Sequence, residues 1–308
     1  MHKYILRRLL LLIPVILGVT FIVFSIMYLT PGDPAQIILG ESAPPEKVEQ
    51  LREEMGLNDP FIVQYFRFVK NGLKGDFGRS YSTRRPVFAE IFARFPATLK
   101  LTIAGVLVAI IIGIPVGIIS ATKQYSLFDN ISMIGALLGV SMPNFWFGLM
   151  LVLVFSVMLG WFPSGGDNGL SSLVLPAITL GTSAAALITR MTRSSMLEVI
   201  RQDYIRTARA KGVVEKKVIN KHALKNALIP IITVVGLQFG YLLGGAVLTE
   251  TVFSWPGVGR LLVDAIRQKD TPMVLASVVF VSVTFSFVNL MVDILYAYVD
   301  PRIKSQYK

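Results

Sequence analysis

Long apolar stretches alternate with polar ones along the whole chain of 308 residues. A hydrocarbon core about 30 Å thick needs roughly 20 consecutive, mostly apolar residues to be crossed as a helix. Six segments approach or meet that length, namely residues 9–29, 101–121, 131–159, 173–189, 228–248 and 274–299. The pattern therefore predicts an all-α integral membrane protein with six transmembrane helices.

The longest polar stretch, residues 31–96, contains shorter amphipathic patterns. Residues 45–55 place apolar side chains at helical spacing, and residues 61–69 and 87–95 are amphipathic runs that each follow a proline. Pro96 closes the second of these two runs. We expect this stretch to form a small helical cap next to the membrane.

Lysine and arginine are concentrated in a few polar segments. Residues 190–225 hold ten of them against three acidic residues, whereas residues 160–172 hold none. Cytoplasmic loops of membrane proteins carry an excess of basic residues, so residues 190–225 and both termini are expected on the cytoplasmic side. Residues 31–96 then face outward, and their nine basic and nine acidic residues cancel. The formal net charge of +11 is thus a signal of topology and argues against nucleic-acid binding.

These boundaries predict consecutive parts. Residues 1–30 form a cytoplasmic N-terminus and the first transmembrane helix, and residues 31–96 form an extracytoplasmic helical loop. Residues 97–299 form a core with five transmembrane helices, which a cytoplasmic loop at about residues 191–227 interrupts. Residues 300–308 form a cytoplasmic tail.

The residues that carry most enzyme and metal chemistry are scarce in this chain. There is no cysteine, and His2 and His222 are the two histidines, so no disulfide framework, thiolate nucleophile, zinc site or iron–sulfur site is expected. No Gly-x-x-x-x-Gly-Lys-Ser/Thr string occurs, and neither does Gly-x-Ser-x-Gly or His-Glu-x-x-His. We therefore expect no catalytic residue, no metal ligand and no cofactor in this chain, and ATP hydrolysis only by a separate protein.

Small residues recur at every fourth position in three of the apolar segments. Gly236, Gly240 and Gly244 are in register in the fifth segment. In lipid, such spacing lets two helix backbones approach closely. Two interpretations stay open, namely packing between helices of this chain and an interface with a second membrane chain around a transport pathway.

The basic segment is expected to form two helices with a turn between them. The first helix carries one apolar stripe with members four residues apart, namely Met196, Ile200, Tyr204 and Ala208. Gly212 follows as the expected end of this helix. A second helical run from residue 214 carries Lys217, Lys221 and Lys225 on one ridge. The apolar stripe needs a partner that six membrane helices need not provide.

Four motifs in this chain resemble those of a known family. DYIRTARAKG at residues 203–212, with HALKNALIP at 222–230, is similar to the ATPase-docking loop of binding-protein-dependent ABC importer permeases. Three further motifs resemble those of the first permease subunit in the dipeptide, oligopeptide and nickel branch of this family. They are TPGDP at residues 30–34, GDFGRSYSTRRPV at 75–87 and ETVFSWPGVGRLLVDAIRQKDTPMV at 250–274. The wider family has Glu-Ala-Ala where this chain has Arg206, Thr207 and Ala208.

The resemblance implies a type I ABC importer fold in a bacterial or archaeal cell membrane. It also implies a second homologous permease, two ATP-binding subunits that hold ATP and Mg, and an extracytoplasmic peptide-binding protein. The residues expected to dock the ATPase are Tyr204, Arg206, Thr207, Ala208, Arg209 and Gly212. The cations of this loop could instead hold anionic lipid headgroups.

Several alternatives remain open at this point. Trp255, Pro256 and Gly257 are candidates for contact with the binding protein, or they form a plain surface turn. The substrate suggested by the resemblance is a dipeptide or short oligopeptide, and nickel, glutathione and oligosaccharides are alternatives within the same importer class. An ion-driven secondary transporter or a membrane anchor would be a different class of protein.

Overall fold

The computed structural model describes residues 2–40 and 42–299, and the side chains of residues 9–40, 42–292 and 294. The expected tail, residues 300–308, lies outside this part. The described elements are α1 His2–Leu29, α2 Pro34–Leu39, α3 Pro45–Met55, α4 Phe61–Gly72, α5 Val87–Thr122, α6 Leu127–Ser141, α7 Asn144–Leu151, α8 Leu170–Ile200, α9 Asp203–Ala210, α10 Glu215–Lys217, α11 Leu224–Val252, α12 Val258–Arg267 and α13 Thr271–Val299. Two π-helical turns, Val152–Met158 and Val218–Ala223, follow α7 and precede α11.

The predicted membrane spans are present with one exception in shape. Five described helices are long and apolar enough to cross a membrane, and α6 together with α7 and its π-helical turn makes a sixth candidate. This pair is bent by 106°, so the expectation of one straight span over residues 131–159 is corrected. Pro143 explains the break, because it has no N–H to donate and it favours an extended backbone at the preceding residue. Met142 has that backbone, with φ −75° and ψ 132°.

Helix α5 is longer than the sequence pattern indicated. Residues 87–95 do not form a separate helix of the cap, because α5 continues through Pro96 into the second span. An internal proline removes one backbone hydrogen bond and can kink a helix. Ile91 and Leu101 on the two sides of Pro96 are both fully buried, and we attribute the continuity of α5 to this packing.

The centre of the bundle is the contact between α5 and α8. Leu101 and Ala109 of α5 are buried with Leu180 and Ile188 of α8 in one apolar cluster, to which α11 also contributes. Glycines let the two helices approach closely. A Cβ at Gly113 would lie 2.9 Å from the Ala185 carbonyl oxygen.

Helix α5 also separates the two ends of the bundle. At its start, Val87 is buried with residues of α12 and α13, and this side, which also carries α2 to α4, is called the cap end. At its last turn, Ala121 is buried with residues of α8, α9 and α11, and this side is called the loop end. A straight helix of 36 residues spans about 54 Å, which is long enough to place the two ends on opposite sides of a membrane.

The cap rests on α1. Phe24 of α1 packs against Phe61, Tyr65 and Phe68 of α4 at ring-centroid distances between 5.5 and 5.7 Å. Helix α2 begins after Asp33, whose carboxylate accepts the Ala35 N–H at 3.0 Å, and α3 ends at Gly56, where φ is +65°. The predicted helical cap is therefore present, although it ends before residue 87.

Candidate functional site

The segment between α8 and α11 forms an exposed surface at the loop end. Helix α8 ends at Ile200, and Gln202 has an extended backbone, with φ −73° and ψ 149°, before α9 begins. The stripe expected over Met196 to Ala208 is therefore divided between two helices. This break turns α9 away from the α8 axis.

Helix α9 has one face against the chain and one face in solvent. Ile205 and Ala208 are buried among α5, α8 and the start of α11, so the apolar stripe finds its partner within the chain itself. Ala208 is only 8% exposed, and its expected contact with an ATPase is therefore corrected. Tyr204 and Thr207 lie on the outer face, together with Arg206, whose side chain is 78% exposed.

The turn after α9 is closed by a glycine and an ion pair. Gly212 has φ +73°, in the left-handed region that glycine favours, and its N–H donates to the Arg209 carbonyl oxygen at 2.9 Å. The Arg209 guanidinium donates to both carboxylate oxygens of Glu215, at 3.1 and 2.7 Å. These hydrogen bonds raise the pKa of Arg209, which is charged at neutral pH. Arg209 therefore stabilises the turn, and its charge is already paired.

The second helical run is continuous with the fifth span. From Glu215 the chain remains helical to Val252, through the π-helical turn and through Pro230. Asn226 in this run donates to the Tyr204 hydroxyl at 2.9 Å and so fixes α9 against α11. A displacement of α9 would therefore act directly on the fifth span.

The glycines of α11 are in different surroundings. A Cβ at Gly236 would lie 2.6 Å from Val292 Cγ1, and one at Gly240 would lie 3.1 Å from Asn289 Oδ1, so both glycines pack against α13. At Gly244 a Cβ would meet no described atom within 4 Å. The packing interpretation thus fits Gly236 and Gly240, whereas no described side chain of this chain packs beside Gly244.

The turn between α11 and α12 is mostly interior. Trp255 is completely buried, and its indole Nε1 donates to the Ala97 carbonyl oxygen at 2.8 Å. Gly257 is buried against the Glu250 carboxylate, which a Cβ would overlap. The expected contact of these two residues with a binding protein is therefore corrected, because Trp255 has no exposed surface and Gly257 is buried. Ser254 and the partly exposed Pro256 remain on the surface.

Two family models together match nearly the whole chain. Residues 113–305 match the model described as "Binding-protein-dependent transport system inner membrane component", and residues 1–102 match the one described as "Binding-prot-dependent transport system membrane comp, N-term". The chain belongs to this family. It is a permease subunit of an ABC importer, and the resemblance described from its sequence is confirmed.

Relatives of this permease are similar over their full length. The dipeptide transport system permease protein DppB of Alkalihalophilus pseudofirmus is 50% identical, over 99% of this chain and 100% of its own. The glutathione transport system permease protein GsiC of Escherichia coli K12 is 45% identical, over 99% of each chain.

Solved structures show the same fold at lower identity. An inward-facing structure of the MetNI methionine ABC transporter matches with a TM-score of 0.58 and 21% identity, over 68% of this chain and 96% of that one. An amino acid ABC transporter structure matches with a TM-score of 0.53 and 14% identity, over 68% and 94%. The predicted all-α, type I importer fold is therefore confirmed.

The permease contains a buried carboxylate at its cap end whose contacts the sequence did not reveal. Glu250 accepts hydrogen bonds from the Thr98 hydroxyl at 2.6 Å and from the Arg260 N–H at 3.0 Å. Thr98 in turn accepts the Val258 N–H at 2.9 Å. This network satisfies the free N–H groups at the start of α12, so it determines how α12 lies on α5.

A cavity of about 560 Å³ lies beneath the cap of the permease, between α1, α4 and the start of α13. Tyr81 lines it, in a turn that Asp270 fixes by accepting hydrogen bonds from the Ser80 hydroxyl and, at 3.3 Å, from the Ser82 N–H. Burial raises the pKa of the Tyr81 phenol, and the carboxylate of Asp270 adds to the effect, so the phenol is neutral at physiological pH. Among the described residues, no group of three or more His, Cys, Asp or Glu could hold a metal ion.

Proposed function

We propose that this permease forms part of the membrane pathway of a complex that imports dipeptides or other short peptides. The observation that carries the proposal is the 50% identity, over 99% of the chain, to a permease named for dipeptide transport. ATP and Mg would be held by two separate ATPase subunits, because this chain has no phosphate-binding motif. An extracytoplasmic binding protein would deliver the substrate.

The loop end is proposed to face the cytoplasm and to dock an ATPase. The excess of lysine and arginine in residues 190–225 supports this orientation, with both termini on the same side. The docking residues would be Tyr204, Arg206 and Thr207, which share the exposed face of α9. Because the opposite face is anchored by Ile205 and Ala208, a movement of the ATPase would be passed to the membrane helices.

The cap end is proposed to receive the binding protein. The exposed positions of the turn, Ser254 and Pro256, lie at this end together with α2 to α4. A second homologous permease would complete the pathway, and Gly244 supports close approach of another helix, because no described atom fills the space beside it.

Glutathione is the second candidate substrate. It is favoured by the 45% identity to a permease named for glutathione transport, and glutathione is itself a short peptide derivative. Neither of the two relatives described above is named for nickel or for an oligosaccharide.

Purification of the tagged chain from its native membrane tests the assembly. We expect mass spectrometry to identify a second permease and ATP-binding subunits in the same complex. The complex in liposomes should then import a labelled dipeptide only when ATP is supplied, and competition with unlabelled glutathione would rank the two substrates. Uptake by the isolated chain under an ion gradient would instead identify a secondary transporter.

The orientation has its own test, because the chain has no native cysteine. We expect Lys211→Cys, beside α9, to react with an impermeant thiol reagent only in inverted vesicles. Lys74→Cys, which is exposed in the cap, should react only in intact cells. The reverse pattern would contradict the proposed topology.

A further inference from the structure

An ion pair at the loop end connects three helices of the bundle. Asp129 lies in the first turn of α6, and only 2% of its side chain is exposed. Arg193 of α8 donates from Nε to Asp129 Oδ1 at 2.7 Å and from Nη2 to Oδ2 at 2.8 Å. The Ser120 hydroxyl of α5 donates to Oδ1, and the Tyr125 N–H donates to Oδ2 at 2.9 Å. One carboxylate therefore fastens the loop ends of α5, α6 and α8 together.

This ion pair differs from the others in its burial. Every other ion pair among the described side chains has both partners at least one-fifth exposed. Exposed pairs contribute little, whereas removal of one partner from a buried pair leaves an uncompensated charge. The bidentate geometry also fixes direction, because a planar guanidinium and a carboxylate meet in one plane.

Helix α6 packs along α8 mainly through small residues. Besides Asp129, its buried residues are Ala136 and Gly139, which are both small. Its large apolar side chains are exposed in this chain, including Ile131, Ile134 and Leu137. The ion pair therefore adds a charged, bidentate contact to the small-residue packing between α6 and α8.

Helix α8 is in turn connected to the exposed helix α9. Met196 of α8 and Ala121 of α5 are buried in the same cluster as Ile205 and Ala208 of α9. Arg193 lies two turns, about 10 Å, before the end of α8. A movement of α9 is therefore passed by packing to the part of α8 that holds Asp129.

We propose that Asp129 and Arg193 are a positioning pair that makes α6 follow α9 during the transport cycle. The pair transmits the movement of the ATPase to α6. Through α6 the movement reaches α7, which follows the break at Pro143. Neither residue contacts substrate or nucleotide, and both act through α6. The inference rests on the proposed function in one respect, namely that an ATPase acts on α9.

The first experiment separates coupling from assembly in the complete complex, reconstituted in liposomes with its binding protein. Asp129→Asn keeps the size of the side chain and removes the charge that Arg193 binds. The new amide oxygen can still accept a hydrogen bond from Arg193, whose side chain is 23% exposed, so we expect the complex to assemble and to hydrolyse ATP. Peptide imported per ATP should fall about tenfold, within the usual range of coupling between two sites. Arg193→Lys keeps the positive charge but loses the planar, two-pronged guanidinium, so import per ATP should fall less in this variant.

Glu198→Gln is the matched control, because it removes a negative charge from α8, the helix that carries Arg193, at an exposed position that makes no ion pair with any described side chain. It should leave import per ATP unchanged. A purely structural role of the pair predicts that hydrolysis and import fall together with the amount of assembled complex. The proposal would be overturned if hydrolysis, import and assembly fell together in both Asp129→Asn and Arg193→Lys. Unchanged import per ATP in both variants would also overturn it.

The second experiment measures the movement itself. Spin labels at Ile134→Cys on α6 and Gln202→Cys before α9 can be placed without removing any native cysteine from this chain. We expect the same distance between the labels in the nucleotide-free and vanadate-trapped complex when Asp129 is present, and different distances in Asp129→Asn. Equal behaviour in both backgrounds would contradict a positioning role.

An error in the proposed function and an error in the positioning role would give different experimental results. If the complex hydrolyses ATP and imports no peptide, the proposed substrate is wrong, and the label distances still decide the role of the pair. If reversal of the charge at Arg206 leaves the ATPase fully bound and active, the docking assignment is wrong and the positioning role falls with it.

Discussion

The contact between α5 and α8 predicts that one glycine cannot be replaced even by alanine. A Cβ at Gly117 would lie 2.5 Å from Thr192 Cβ and 2.7 Å from the Thr189 carbonyl oxygen. Ordinary contact begins at 3.4 Å, so Gly117→Ala requires the two helices to separate by about 0.9 Å at this point. The backbone oxygen of α8 cannot move out of the way as a flexible side chain could.

The cost follows from the contacts that such a separation weakens. A radial gap of about 0.5–1 Å forfeits roughly a quarter to a half of the dispersion energy of each contact, and overpacking typically costs about 1–3 kcal/mol. Alanine is better than glycine in a helix by about 1 kcal/mol, which offsets part of this cost. The difference is about 0–2 kcal/mol, and because one clash is with a backbone oxygen we expect Gly117→Ala to lower the free energy of unfolding by an amount near the upper end, about 2 kcal/mol.

Gly135→Ala in α6 is the matched control, because its Cβ would meet no described atom within 4 Å. Both variants are purified as the tagged chain in the same detergent, and the monodisperse fraction that survives heating is measured over a range of temperatures. The midpoint should fall for Gly117→Ala and stay the same or rise for Gly135→Ala. Equal midpoints for the two variants would refute the close contact between α5 and α8.

Three further predictions concern the loop end and the cap end. Gly212→Val should weaken ATPase binding and peptide uptake, because a residue with a side chain costs about 1–2 kcal/mol in a left-handed conformation. Gly212→Asn should be tolerated. Normal uptake by Gly212→Val would contradict the left-handed conformation at this turn. Glu250→Ala should reduce the amount of folded permease in the membrane, because each donor left unpaired costs about 1–3 kcal/mol. Glu250→Gln should reduce that amount less. Equal accumulation of both variants in an immunoblot would exclude a stabilising role of the hydrogen-bond network around Glu250. Arg206→Glu should release the ATPase in a co-purification assay. The double exchange Arg209→Glu with Glu215→Arg should retain it, and loss of binding there would assign Arg209 to the docking contact.

The apolar periodicity of the chain predicted most of the membrane-spanning helices. An apolar run of sufficient length has a favourable transfer free energy into lipid whatever its neighbours are, so spans such as those in α1 and α13 can be recognised from local sequence. The left-handed conformation of Gly212 could also be predicted, because a helix end that needs positive φ favours glycine. Each of these features depends on residues close together in the chain.

Helix breaks and continuations were less accessible to sequence. Apolar spacing continues across Pro143, which breaks a helix, and across Pro96, which does not. The two prolines have the same local chemistry, and the difference is that Ile91 and Leu101 hold α5 in place on both sides of Pro96. The packing of distant segments decides the outcome.

The sequence by itself determined which segments enter the membrane, which segment carries the excess of positive charge, and the family. The tertiary structure alone decided which side chains of the site are accessible, since it buries Trp255 and Ala208 and leaves Arg206 exposed. It also brought Arg193, counted in the sequence only as a basic loop residue, to Asp129 in another helix. The physical reason is that periodicity and composition report the free energy of transferring one segment, whereas burial and ion pairing depend on the faces that two segments present to each other.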